Sequence, residues 1–104
     1  EIVAILGGGR PHACADDAPR ARGRTRAFLK VQNGCDARCA FCIIPTTRGP
    51  AESRPPARVL AEARRRLAEG HPELVLTGIN IGTYRDPGSG ARLADLVRVV
   101  GRLE

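Results

Sequence analysis

Apolar and polar residues alternate from Thr25 to Gln32, with Ala27, Leu29 and Val31 on one side and Phe28 and Lys30 on the other. A period of two is that of a strand with one buried face. This strand runs straight into Asn33-Gly34 and a cysteine. A second short apolar run, Glu73 to Thr77, predicts another strand that ends at Gly78. Between the two, Val59, Leu60, Ala63 and Leu67 recur at helical spacing and predict a helix through Glu69. Ser53 stands where it can cap that helix, proline is tolerated in its first turn, and Gly70 is a natural stop. Leu93, Leu96, Val97 and Val100 predict a second helix running to the end. Residues 43–50 read as an extended loop, and residues 82–91, with Gly82, Pro87, Gly88 and Gly90, as another. Near the start, Ile2 to Leu6 is a short apolar run closed by Gly7-Gly8-Gly9, either a buried strand or the last turn of a helix. Residues 10–24 have no apolar period and read as a linker.

The order is strand, cysteine-bearing loop, helix, strand, loop, helix. Alternation of this kind predicts an α/β fold with parallel strands and crossover helices. The cysteine loop leaves the C-terminal end of the first strand, which in (β/α) barrels is the end that builds active sites. Two such units cannot close a barrel, so apolar helix and strand faces are expected to stay exposed and the stability of this stretch alone to be marginal.

Composition adds four constraints. The chain of 104 residues opens on Glu1, holds no Met and ends straight out of an apolar periodic segment, which reads as a piece of a longer protein. No apolar run approaches the roughly 20 residues that span a bilayer. The net charge is +6, carried by 17 basic against 11 acidic residues, and Lys30 is the sole lysine. Such a surplus suits an anionic partner, nucleic acid first, and equally suits a general Arg- and Ala-rich composition. With Phe28, Phe41 and Tyr84 as the only aromatics, no stacking platform for single-stranded nucleic acid is evident.

The strongest chemical signal is Cys35-Asp36-Ala37-Arg38-Cys39-Ala40-Phe41-Cys42. Crowding of this kind favours metal ligation in a reducing cytosol over disulfide pairing. Three thiolates on one short loop can hold three corners of a cubic iron–sulfur cluster and leave the fourth iron open to a substrate. A zinc site usually takes four protein ligands, commonly in paired spacing. It would need Cys14, His12 or His71 as the fourth, and His71, beside Pro72, reads as a solvated turn residue. Three buried structural thiols fit poorly with the Gly, Pro and charged residues around them. Cys14 is most simply a free thiol.

The C-x3-C-x2-C spacing with an aromatic before the third cysteine resembles the radical S-adenosylmethionine (SAM) enzymes. The longer stretch from Leu29 through Gln32-Asn33-Gly34-Cys35 to Cys42-Ile43-Ile44-Pro45, then Arg48-Gly49 and Ser53-Arg54-Pro55, resembles the methylthiotransferases within them. Leu76-Thr77-Gly78-Ile79-Asn80-Ile81-Gly82 is similar to the branch acting on threonylcarbamoyl-adenosine at tRNA position 37. The alternatives are a radical SAM enzyme of another branch, with a ribosomal-protein or small-molecule substrate, and a non-enzymatic zinc or iron–sulfur module. Asn33, where an acidic residue is commoner, and Thr46, where an aromatic is common, depart from the pattern.

This resemblance implies a [4Fe-4S] cluster on Cys35, Cys39 and Cys42, with Arg38 and Arg48 helping to keep the thiolates charged. It implies SAM chelated to the open iron and cleaved by one electron, giving a radical that takes a hydrogen from adenosine C2. It further implies a low-potential electron donor, tRNA as partner, a cytoplasmic location and a second [4Fe-4S] cluster on an N-terminal domain. Residues 1–24 would be the tail of that domain plus a linker. Residues 25–104 would be the first two (β/α) units of a partial radical SAM barrel, able to take one cluster but inactive alone. Thr77, Gly78 and Asn80 would lie near the SAM amino group, where glycine permits close backbone approach, or they form a plain strand-ending turn. Phe41 would pack on the adenine or shield the cluster. Arg64-Arg65-Arg66 point in different directions around a helix and read as a solvated surface. Arg20, Arg22, Arg24 and Arg26 suit tRNA phosphates or a charged flexible linker equally.

Overall fold

The structure, a computed structural model, describes residues 24–103. The tail and linker read at the start of the chain, with His12, Cys14, Arg20 and Arg22, lie outside the described residues. The elements are β1 (Arg26–Lys30), β2 (Gln32–Asn33), α1 (Ile44–Arg48), β3 (Glu52–Ser53), α2 (Pro56–Ala68), β4 (Glu73–Thr77), a 3-10 turn (Ile81–Thr83) and α3 (Leu93–Val100).

The alternation in β1 works as its pattern predicts. Ala27, Leu29 and Val31 are buried, while Phe28 is exposed on the other face. β1 pairs with β4 in parallel, from Arg26 opposite Glu73 to Lys30 opposite Thr77. Parallel neighbours need a long crossover, and everything from the cysteine loop to the end of α2 supplies it. Val59 and Ala63, one turn apart on α2, pack with Leu29 and Val31 of the sheet, Leu96 of α3 and Tyr84 to form the core. The architecture is thus α/β, as expected for the start of a (β/α) barrel. Phe28, Ile79, Val97 and Val99 are left exposed.

Several local expectations give way. Residues 44–48 are a short helix, not extended. Pro45 falls in the first turn, where its missing N–H costs nothing. The Thr46 and Thr47 amides both donate to the Ile43 carbonyl at 3.0 Å, and Gly49 at φ 76° ends the turn. Ser53 does not cap α2. It lies in β3, and its Oγ accepts the Arg85 N–H at 2.9 Å. α2 starts instead from Pro55, extended at ψ 140°, whose carbonyl receives the Arg58 and Val59 amides.

His71 is buried rather than solvated, and its Nδ1–H donates to the Arg24 carbonyl at 2.6 Å. Arg66 also leaves the expected solvated surface. It is 6% exposed and pairs with Glu62 at 2.7 Å and Glu69 at 3.4 Å. Burial alone would raise the Glu62 pKa, but Arg65 and Arg66 outweigh it and hold the carboxyl below its ordinary value.

Tyr84, an aromatic in a Gly-rich loop, is 2% exposed, and its hydroxyl donates to the Arg54 carbonyl at 2.8 Å. Burial, with the nearby Asp86 charge, raises its pKa, so it stays a donor. The loop beyond it is closed by Asp86. That carboxylate accepts the Ser89 hydroxyl and the Ser89 and Gly88 amides, which hold its pKa below the usual carboxylate range.

Candidate cluster-binding site

β1 and β4, being parallel, end on the same side, and the two chain segments singled out by the sequence both start there. β1 leads through β2 to Cys35, and β4 leads to Gly78 and Asn80. The cysteine loop is clasped at its base. β2 and β3 pair antiparallel, Gln32 opposite Ser53 and Asn33 opposite Glu52. The Cys35 amide donates to the Gly49 carbonyl at 3.1 Å, and the Ala51 amide to Asp36 Oδ1 at 3.2 Å. Gly34 sits at φ 70°, and a Cβ there would lie 1.9 Å from the Pro50 carbonyl oxygen. Only glycine satisfies both the left-handed backbone and that contact.

Beyond the clasp the loop is open. Cys35 is half-buried, Cys39 and Cys42 are exposed, and all three are free thiols. A turn joins the last two, the Cys42 amide donating to the Cys39 carbonyl at 3.1 Å. Phe41 and Ile43 are exposed beside them. Among the described residues no group of three His, Cys, Asp or Glu side chains is gathered closely enough to hold a metal ion. The structure therefore puts the three cysteines on one closed loop without bringing their sulfurs to one point. The donor set nonetheless fits an iron–sulfur cluster. Soft thiols are the right ligands for it, and no packing must be broken for exposed Cys39 and Cys42 to turn onto iron.

The same topology removes His71 as a zinc ligand for these cysteines. It precedes β4, at the opposite end of the strand pair, and five residues of strand span about 16 Å.

Thr77, Gly78 and Asn80 are brought to the base of the cysteine loop by a residue that the sequence motif includes without giving it a role in the site. Gln32 has no exposed surface. Its Nε2 donates to the Asn33 and Gly34 carbonyls at 2.9 and 2.8 Å, and its Oε1 accepts the Asn80 amide at 2.9 Å. A Cβ on Gly78 would lie 2.8 Å from Gln32 Oε1 and 3.1 Å from the Gln32 carbonyl oxygen. The close approach that requires glycine at position 78 is thus to Gln32. Thr77 Oγ1 donates to the Leu29 carbonyl at 3.4 Å, across the strand pair.

Arg54 is the other residue that the sequence marks only as part of the resemblance and gives no role. Its amide donates to the Val31 carbonyl and its Nη1 to that of Lys30, stitching the far arm of the clasp to the strand. The available signal for Gln32 is its place as a polar residue directly after a buried apolar position. For Tyr84 it is a lone aromatic among glycines. A polar cleft beside the clasp is lined by Asp36, Glu52, Arg58 and Arg85, charges of both signs.

The parallel strand pair and the three-cysteine loop at its C-terminal end define the class. The family model of the radical SAM superfamily matches residues 29–99, more than half of the chain, and the chain belongs to that superfamily. Membership implies a [4Fe-4S] cluster and SAM.

Curated relatives carry the name of tRNA methylthiotransferases. The chain is 45% identical over 78 residues to the tRNA-2-methylthio-N(6)-dimethylallyladenosine synthase of Chlorobium luteolum, covering 75% of this chain and 18% of the relative. It is 45% identical over 82 residues to the threonylcarbamoyladenosine tRNA methylthiotransferase MtaB of Chlamydia pneumoniae, covering 78% and 19%. It is 47% identical over 83 residues to the tRNA-2-methylthio-N(6)-dimethylallyladenosine synthase of Cereibacter sphaeroides, covering 80% and 18%. The chain therefore spans about a fifth of the length of the curated relatives it matches. No helix among the described residues is long and apolar enough to cross a membrane.

Proposed function

We propose that this chain is part of a tRNA methylthiotransferase that adds a methylthio group to C2 of a modified adenosine at position 37, with threonylcarbamoyl-adenosine as the nucleoside. The observation that carries the proposal is the clasped loop holding Cys35, Cys39 and Cys42 at the C-terminal end of a parallel strand pair. Relatives named for this chemistry support the substrate class.

In this reading residues 25–104 are the first part of the radical SAM domain, residues 1–24 the tail of a preceding domain plus a linker, and a second cluster sits on that domain. The partners are tRNA and a low-potential electron donor, in the cytoplasm. Cys35, Cys39 and Cys42 hold the cluster as thiolates. When bound, the cluster and SAM supply one-electron cleavage of a carbon–sulfur bond. The protein's part is positional. The Gly34–Pro50 contact fixes where Cys35 starts. The backbone of Thr77, Gly78 and Asn80 faces the SAM amino acid moiety, and Phe41 covers the adenine or the cluster from the loop tip.

A second reading has a specific observation behind it. Relatives at 45% and 47% identity are named for dimethylallyladenosine, against 45% for the threonylcarbamoyladenosine enzyme. Only the run Leu76 to Gly82 favours the latter.

The test is anaerobic reconstitution of the full natural chain with iron and sulfide, followed by EPR with and without SAM and nucleoside analysis of treated tRNA. A [4Fe-4S] signal that shifts with SAM and is lost in Cys35→Ala is expected, with methylthiolated threonylcarbamoyl-adenosine as product and no product from residues 1–104 alone. Methylthiolated dimethylallyladenosine would move the assignment to the second reading. Tight zinc binding with no cluster would overturn both.

A further inference from the structure

We propose that Gln32 is a positioning residue, whose carboxamide sets the start of the cysteine loop against the Gly78–Asn80 turn and so fixes SAM relative to the cluster. The inference deepens the radical SAM reading above and rests on it. The geometry is specific. Both Nε2 protons are used on consecutive carbonyls, those of Asn33 and Gly34, immediately before Cys35. The Oε1 is used on the Asn80 amide. Turning the amide over would set its oxygen against two carbonyls and its NH2 against an N–H, so the side chain has one workable orientation.

The contact is two-sided. The Gly78 backbone closes on the same side chain, near enough that a Cβ would meet its Oε1, Cβ and carbonyl oxygen. Gln32 itself has no exposed surface. One buried side chain is thus the spacer between the segment that carries the first sulfur and the segment proposed to face the SAM amino group. A ligand that touches both segments reads their separation directly, and small misplacement of a bound reactant is costly.

The position separates two roles that a core residue would merge. Loading of iron depends on three cysteines beyond the clasp, whose neck is closed by backbone contacts of Gly34, Cys35, Gly49 and Pro50 that a change of the Gln32 side chain leaves in place. Binding of SAM depends on the cysteine loop and the β4 turn being held at one distance. Changes at Gln32 are therefore expected to spare iron content and weaken SAM.

The test uses the full natural chain, reconstituted anaerobically, with Gln32→Glu, Gln32→Met and, acting from the other side of the contact, Gly78→Ala. Gln32→Glu keeps the acceptor for Asn80 but turns a carboxylate onto two carbonyls, whereas Gln32→Met keeps the volume and loses all three bonds. Iron and sulfide content should match the parent in each folded variant. The Kd for SAM should rise about tenfold in both Gln32 variants, a difference on the order of 1.4 kcal/mol. The SAM-induced change in the EPR spectrum should be altered in shape as well as in midpoint.

Gly78→Ala, which leaves the Gln32 side chain intact, should weaken SAM in the same direction and keeps the test alive if the Gln32 variants fail to fold. Unchanged SAM affinity in an iron-loaded Gln32 variant, or in Gly78→Ala, would overturn the proposal. So would iron content falling in step with SAM affinity, which is the mark of a residue that merely holds the loop together. A parent protein that loads iron yet gives no response to SAM would sink the underlying reading, and this inference with it.

Discussion

The base and the tip of the cysteine loop are built on opposite principles. At the base, Gly34, Cys35, Gly49, Pro50 and Ala51 meet through backbone contacts, and the Gln32 amide and the Asp36 carboxylate fasten them further. At the tip, Cys39, Phe41, Cys42 and Ile43 face solvent; one turn, from the Cys42 amide to the Cys39 carbonyl, orders Cys39 to Cys42, and Ile43 is the N-cap residue of α1. The base decides where the loop is, and the side chains of the tip decide what it can bind. A protein that binds a large inorganic group through few residues benefits from this division, because the frame is set by contacts that owe nothing to the ligand. Substitutions that break the backbone contacts of the base should therefore be read in stability, and those at the tip in cofactor chemistry, with the Gln32 side chain, which reaches from the base to the β4 turn, read in SAM binding.

The sharpest way to break that division is at Gly34. An alanine there needs a left-handed backbone, which costs on the order of 1–2 kcal/mol for a residue with a Cβ. It also brings that Cβ to 1.9 Å from the Pro50 oxygen, so the clasp must open. Gly34→Ala is expected to lower stability by at least about 3 kcal/mol, where strained non-Gly positions already cost ~1–3 kcal/mol without a clash. Urea unfolding measures it, together with faster amide exchange at Cys35, whose N–H is bonded to Gly49 across the neck. Wild-type exchange at Cys35 would show that the clasp does not close the loop.

A smaller effect is expected at Tyr84, which supports the clasp from behind. Its hydroxyl donates to the Arg54 carbonyl, and Arg54 in turn bonds the Val31 and Lys30 carbonyls. Tyr84→Phe keeps the ring in the core and removes one buried donor, at a cost of about 1 kcal/mol. The urea midpoint should fall with an unchanged slope. A midpoint that does not move would mean that the Arg54 carbonyl finds another partner and that Tyr84 serves only as volume.

Periodicity makes the frame of the fold legible. β1, α2 and α3 each carry an apolar repeat that one element type satisfies, β4 is a short apolar run bounded by turn residues, and their order predicts parallel strands. The cysteine spacing is legible because three soft donors in so short a stretch have few other uses. What escapes is everything set by contacts between distant residues of small or polar type. The clasp depends on Gly34 meeting Pro50, and no repeat marks a meeting of that kind. Residues 44–48 look extended because proline usually ends helices, yet a proline in the first turn is harmless. His71 looks solvated beside Pro72 until the Arg24 carbonyl is seen to bury it. Gln32 looks like the polar end of a strand, and its role emerges only once the Gly78–Asn80 turn after β4 is seen packed against it.

The tip supplies the opposite test, and the smallest expected effect on stability. Phe41 is fully exposed, so truncating it removes no packing and leaves no cavity. Phe41→Ala should leave the unfolding midpoint of the cluster-free protein within about 0.5 kcal/mol, the usual range for surface substitutions away from special features. If the loop tip closes over cluster and SAM as proposed, the same substitution should speed bleaching of the reconstituted cluster in air or weaken SAM binding. Faster bleaching alone assigns the ring to shielding the cluster, and weaker SAM alone assigns it to the adenine. A loss of cluster-free stability would contradict the division itself, since it would mean that the tip is part of the frame. A variant indistinguishable in all three measurements would leave the cysteines as the tip's whole contribution.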